Sequence, residues 1–171
     1  QQVIEGLIFG TYRFDRYKSL EKQELAIAAH QANWTLNLPK SYAPSVVRGQ
    51  AMAYAQHMAR DLANTPANLM TPQDMVSFPQ HTFENSPVAV KVYDRNDAKK
   101  LNMNAFLSVA KGSDCAPYFL TLTLNPSRSA PTILVGKGVT FDSGGISIKP
   151  SRSMGDMKGD MSGAAAVLAA M

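Results

Sequence analysis

The sequence predicts an α/β fold, and three observations carry that prediction. β-branched and aromatic runs recur at 88–93, 105–110, 118–124 and 132–135. Helical patterns stand among them, the arrangement of a layered mixed sheet that is partly parallel, with antiparallel pairing open for the 101–135 stretch. The composition supplies a core: of 171 residues 45% are hydrophobic and 18% charged, below the ~25% charge usual in soluble domains. Such a chain is not disordered throughout.

Taken in order, residues 1–44 open with Val3, Ile4, Leu7 and Ile8, pass a charged stretch at 13–22 and an alanine-rich piece at 25–32, and are broken by Pro39 and Pro44. From Val47, the apolar positions Ala51, Tyr54, Ala55, Met58 and Leu62 keep the spacing of one helix face, with Arg48, Gln56 and Arg60 opposite. The span 45–63 therefore reads as a helix joining two units. Pro66 and Pro72 make 64–72 a loop, because proline lacks an amide donor and biases the residue before it away from helix. Thr71, Pro72 and Asp74 then match a helix start, with a capping hydroxyl, a first-turn proline and a carboxylate three residues after the cap. Pro79 is expected to cut that helix short. Strands at 88–93, 105–110, 118–124 and 132–135 follow, with a small polar helix at 94–101. Asp160 is expected to open a last helix that runs to Met171, where the dipole favours a carboxylate.

Several function classes are disfavoured at once. The formal net charge is +4 and the basic residues are scattered, so a nucleic-acid partner is not implied. Cys115 is the single cysteine; it cannot form an internal disulfide, reads as packing, and suits a reducing compartment. The longest purely apolar run, 164–171, falls far short of the ~20 residues of a membrane helix. The chain opens without an initiator Met or signal pattern and stops among strong helix formers, as if taken from a longer protein. Part of any site is then expected outside it.

The chemistry concentrates in Gly136-Lys137-Gly138-Val139-Thr140-Phe141-Asp142-Ser143-Gly144-Gly145-Ile146-Ser147-Ile148-Lys149, followed by Met157-Lys158-Gly159-Asp160-Met161-Ser162-Gly163. A lysine between glycines at the carboxyl end of a strand lies where open α/β sheets bind ligands. A phosphate loop fails at Pro131 and Gly138, a dinucleotide fingerprint fails at Phe141, and Ser143 lacks a nucleophile elbow. Two aspartates with a lysine suit an oxygen-rich metal site, since carboxylates are hard ligands and a lysine ligates as its neutral amine. The plainer alternatives stay open on spacing alone: loop and cap aspartates, an exposed loop lysine at Lys149, core methionines at Met154 and Met161. His57 has no second histidine at i+4, so no metal role is assigned to it.

The stretch 136–149 with Met157, Lys158 and Asp160 resembles the active-site signature of the leucyl, or cytosol, aminopeptidases. Asn64-Thr65-Pro66-Ala67-Asn68 with Thr71-Pro72, and Phe106-Leu107-Ser108-Val109-Ala110-Lys111-Gly112-Ser113, are similar to further stretches of that family in the same order. The likeness covers most of the chain from residue 46 onward. It implies an architecture of 1–44 as the tail of an N-terminal α/β domain, 45–63 as a connecting helix, and 64–171 as the incomplete first part of a mixed-sheet metallopeptidase catalytic domain. It also implies an activity, removal of bulky apolar N-terminal residues such as Leu from peptides through a water activated by two divalent ions, Zn or Mn. On this resemblance Lys137, Asp142 and Asp160 are metal ligands and Asp142 bridges both ions. Lys137 and Asp160 hold the more labile ion, Lys149 is catalytic at the scissile carbonyl, and Met157 lines the pocket for the first side chain. Lys137, Asp142, Lys149, Met157 and Asp160 together form the substrate-binding set.

Two departures from the family pattern accompany this. The family's Asn-Thr-Asp-Ala-Glu-Gly-Arg stretch, with two more carboxylates and the arginine that holds a bicarbonate base, is absent, so the fragment itself is expected to be inactive. Ser162 stands where the family usually has Gly. A catalytically impaired structural paralogue is the alternative reading. The resemblance further implies a homo-oligomer, a hexamer, with no membrane partner, in the cytoplasm or, as second option, mitochondria. Some bacterial relatives bind DNA, which the scattered charge here does not support.

Overall fold

Ile4, Leu7 and Ile8 fall on one side of a helix, and the first element is α1, Gln2–Gly10. The computed structural model describes residues 1–22, 35–124 and 130–171. They form two compact units, Gln1–Asp61 and Leu62–Met171. The alanine-rich piece at 25–32 lies outside the described residues. In the first unit a single 3₁₀ turn, Lys40–Tyr42, leads into α2, Ala43–Asn64, the long helix expected at 45–63. Pro44 does not break α2 because it sits in the first turn, where its missing amide has no helical partner to lose. The two helices meet at Gly49: a Cβ there would lie 2.9 Å from the Ile4 Cβ. Buried Ile4 and Ala53 mark that contact. Asp61 closes the unit by accepting from the Tyr12 hydroxyl at 3.0 Å and from Arg16 at 2.7 Å.

The second unit opens with the Asn64–Thr71 loop and α3, Pro72–Thr82. Its capping box is complete: the Thr71 hydroxyl accepts from the Asp74 amide, and the Asp74 carboxylate accepts from the Thr71 amide at 2.9 Å. The Thr71 hydroxyl and amide hold the Asp74 carboxyl below the usual carboxylate range. A depressed folded pKa means that this contribution is full above the unfolded value near 3.9 and is lost as pH falls through the folded one. Thr71→Ala should therefore cost about 1 kcal/mol of unfolding free energy at neutral pH. In urea melts, the gap between the two proteins should narrow below about pH 4. A gap unchanged by acid would contradict this account of the cap.

Pro79 does not interrupt α3, contrary to the sequence expectation. The helix carries it eight residues in and continues to Thr82. Its ring is fully buried, so packing offsets the one hydrogen bond that a proline removes. Strand β1, Val88–Tyr93, follows as expected, with Val88 buried and Ala89 and Lys91 facing outward. Asp94 then caps α4, Arg95–Lys100, by accepting from the amides of Asn96 and Asp97. Asn102 ends α4 at φ 54, and the bonds Asn102 N–H to Lys99 O and Met103 N–H to Ala98 O complete a Schellman turn.

The strand expected at 105–110 is instead a helix, α5, Asn104–Val109. A six-residue run with five apolar positions fits either period, and the Schellman turn releases the chain directly into a new helical turn, with Leu107 N–H on Met103 O at 3.0 Å. Phe106 uses that turn to set its ring edge-on against Phe119, 6.2 Å between centroids. Strand β2, Phe119–Leu124, lies antiparallel to β1 in the register Val88↔Leu124 through Tyr93↔Phe119. The α/β class is as expected; among the described residues the sheet has these two strands, and their pairing is the antiparallel one left open for the 101–135 stretch. The expected strand 132–135 is not in a ladder either. Ile133 and Val135 are 77% and 90% exposed, since β-propensity makes a strand only when a neighbour supplies the hydrogen bonds.

The chain closes with a 3₁₀ helix, Met154–Met161, and α6, Ser162–Ala170. Asp160 therefore does not open the last α-helix; it belongs to the 3₁₀ turn before it, and Met161 takes the cap position without a side-chain bond. Met161, Ala165 and Leu168 are buried and anchor α6, as expected for Met161, whereas Met154 is only half-buried. Cys115 is exposed and not packed, because it sits in the turn before β2.

Candidate metal centre

Two glycines determine where Lys137 stands. A Cβ on Gly136 would lie 2.5 Å from the Gly163 carbonyl oxygen and 2.6 Å from the Ala164 Cα. A Cβ on Gly163 would lie 3.0 Å from the Lys137 nitrogen. The first turn of α6 thus rests directly on the Gly136–Lys137 backbone, and the Ala164 N–H donates to the Lys137 carbonyl at 2.9 Å. Gly136→Ala must force this seam apart, and overpacking of that kind costs about 1–3 kcal/mol. A thermal melt of the variant that matched the parent would show that the seam is not tight.

The seam delivers the Lys137 ammonium to the Asp160 carboxylate, and the two form an ion pair. Asp142 is held by its own loop. Its Oδ1 accepts from the Gly144 N–H at 2.9 Å, an Asx turn, and from the Lys149 ammonium at 2.9 Å. The same ammonium donates to the Asp142 carbonyl at 3.0 Å, while the Lys149 N–H closes the loop on the Ser143 carbonyl at 2.9 Å. Gly144 turns this loop at φ +101, where an added Cβ would meet the Ser147 carbonyl oxygen at 2.5 Å. The Lys149 ammonium, then the Gly144 N–H, and with them the charge of Lys137, keep the Asp142 carboxyl below its ordinary range.

The structure thus brings Lys137 to Asp160 and Lys149 to Asp142. Met157 lies one 3₁₀ turn before Asp160, on the helix face that carries 154, 157 and 160. The donor chemistry fits a divalent cation: two carboxylates, each now neutralised by an ammonium, and an amine able to ligate when neutral. Among the described residues no three His, Cys, Asp or Glu side chains converge, so the set is a partial one. The Ser162 hydroxyl turns back to donate to the Gly159 carbonyl at 2.6 Å. Sequence reasoning assigned no role to Lys158, whose ammonium donates to the Asn64 carbonyl at 2.8 Å. Nothing in local spacing could have announced a bond across 94 positions.

A family model described as the cytosol aminopeptidase family, catalytic domain (peptidase M17), matches residues 57–171, and the chain belongs to that family. Curated relatives include a "Probable cytosol aminopeptidase" of Persephonella marina, 41% identical over 98% of this chain and 34% of its own length. Another of the same name, from Alkaliphilus metalliredigens, is 39% identical over 100% of this chain and 35% of its own. The chain spans about a third of the length of these relatives. Among solved structures, the cytosol aminopeptidase of Coxiella burnetii aligns over 98% of this chain and 34% of its own, at TM-score 0.77 and 28% identity. The bottromycin maturation enzyme BotP, solved in complex with Mn, aligns over the same shares at TM-score 0.76 and 37% identity. No described helix is long and apolar enough to cross a membrane.

Proposed function

We propose that the full-length protein carrying this chain is a metal-dependent aminopeptidase that removes N-terminal residues, preferably bulky apolar ones such as Leu, from peptides. What supports this reading above all is the pair of contacts Lys137–Asp160 and Lys149–Asp142, two carboxylates each held by an amine, within a chain of the cytosol aminopeptidase family. Lys137, Asp142 and Asp160 would hold two divalent ions, Zn or Mn. When bound, such ions activate a water and polarise the scissile carbonyl. Lys149 donates to the carbonyl oxygen as negative charge grows on it. Met157 borders the first side chain of the substrate, and its flexible thioether suits apolar residues of several shapes.

Three protein ligands hold two ions poorly, so the remaining carboxylates, and an arginine that seats bicarbonate, belong to the further two-thirds of sequence that the relatives carry. The 171-residue fragment alone is inactive on this account. Its boundaries divide as an N-terminal tail at 1–44, a connecting helix at 45–63 and catalytic sequence from 64. A cytoplasmic homo-oligomer, hexameric by family resemblance, completes the proposal.

The test is hydrolysis of leucine amide and of N-acetyl-leucine amide by the full-length protein with Mn or Zn added. Cleavage of the free-amine substrate alone, abolished by a chelator, is the expected result. No cleavage of any free-amine substrate under metal-replete conditions would sink the proposal.

A further inference from the structure

The 3₁₀ helix Met154–Met161 carries Asp160 but has little of its own to hold it in place. Such helices have poorer hydrogen bonds than α-helices and seldom run beyond three or four residues, and this one runs eight. It starts after Ser153, which sits in a left-handed conformation at φ 63 and makes no side-chain cap, and only at its far end does a side chain help, the Ser162 hydroxyl donating to the Gly159 carbonyl. Its position must therefore be set from outside. With three residues per turn, 155, 158 and 161 share one face. Met161 on that face is fully buried and Lys158 is half-buried.

From there the Lys158 ammonium reaches the backbone carbonyl of Asn64. Asn64 is the last residue of α2, so its carbonyl stands at the negative end of the helix dipole, where a cation is favoured. The next residue, Thr65, is buried. The bond also joins two of the sequence stretches that resemble the family, 64–68 and 157–160, which are far apart along the chain.

We propose that Lys158 is a positioning residue: by tying the 3₁₀ turn to the C-terminal carbonyl of α2 it fixes the Asp160 carboxylate opposite Lys137, and so sets the affinity for the ion those two residues hold. The inference rests on the metal centre proposed above. It requires a donor at 158 whose reach is right, and it gives Lys158 no contact with substrate.

The test uses the metal-stripped full-length protein, titrated with Mn(II) while the free ion is followed by electron paramagnetic resonance. Lys158→Met keeps the stem and removes the donor to the Asn64 carbonyl. It should weaken the more labile Mn site about tenfold, the lower end of what loss of a supporting contact costs. Lys158→Arg, which keeps a charged donor, should restore most of that affinity. A folded Lys158→Met with a lowered melting temperature but the parent's Mn affinity would reduce Lys158 to a stabilising contact and overturn the proposal. Should Lys158→Met fail to fold, Lys158→Gln is titrated against the same criteria. Absence of Mn binding by the unsubstituted protein would defeat the metal centre itself, a failure distinct from unchanged affinity in the variant.

Discussion

Asp142→Ala in the full-length protein is expected to lower kcat/KM for leucine amide by more than about 100-fold, because loss of a mere supporting residue already costs up to about that much and Asp142 is proposed to touch both ions. The structure shows why no neighbour can substitute. Asp142 is held by the Gly144 N–H and by Lys149, and the only other carboxylate brought to the cluster among the described residues, Asp160, is committed to Lys137. Removing the Asp142 side chain also frees the Lys149 ammonium of one of its two acceptors on that residue, the other being the backbone carbonyl. The measurement is a steady-state rate in saturating Mn with the melting temperature alongside. A folded variant at the parent's rate would remove Asp142 from the mechanism.

Lys149→Met should act on a different parameter. A donor aimed at charge that develops only in the transition state contributes to kcat, and losing one such donor costs about 10²–10³-fold. Ground-state binding barely uses it, so KM should change little. Metal affinity should be retained, which separates this variant from Asp142→Ala. The loop that presents Lys149 is held by its own backbone, through the bond from the Lys149 N–H to Ser143 and the turn at Gly144, so the replacement is expected to fold. A raised KM with unchanged kcat would recast Lys149 as a binding residue.

Local chemistry was legible in the sequence wherever one element sufficed. The apolar spacing from Ala51 to Leu62 declared α2 as a helix, though not its packed face, since Ala51 and Tyr54 stand exposed and Ala53 is buried; Thr71 with Asp74 declared the start of α3, because a helix writes its caps into neighbouring residues. The run from Val88 to Tyr93 was equally plain. What required a partner was not. The run at 105–110 fits strand or helix, and the ring of Phe119 and the Schellman turn at Asn102 decide it. The run at 132–135 has the composition of a strand but no ladder neighbour among the described residues. Pro79 was read by its missing amide, whereas the burial of its ring allows the helix to pass.

At the site, the glycines flanking Lys137 signalled a close approach without saying of what. It is the backbone of Gly163 and Ala164 that comes near. The spacing of Lys137, Asp142, Lys149 and Asp160 marked the candidates, yet the pairing of each amine with its carboxylate depends on loop geometry that no spacing encodes. Asp160 was misplaced at the head of α6 because a 3₁₀ turn ahead of a helix leaves no clear trace in composition.

The most direct test is a crystal of the full-length protein grown with Mn and measured for anomalous scattering. The account predicts two anomalous peaks about 3.5–4 Å apart, with the Asp142 carboxylate between them and the Lys137 nitrogen and Asp160 oxygen on one of the pair. A map with Mn elsewhere, or with Lys137 still paired to Asp160 and no peak beside them, would contradict it.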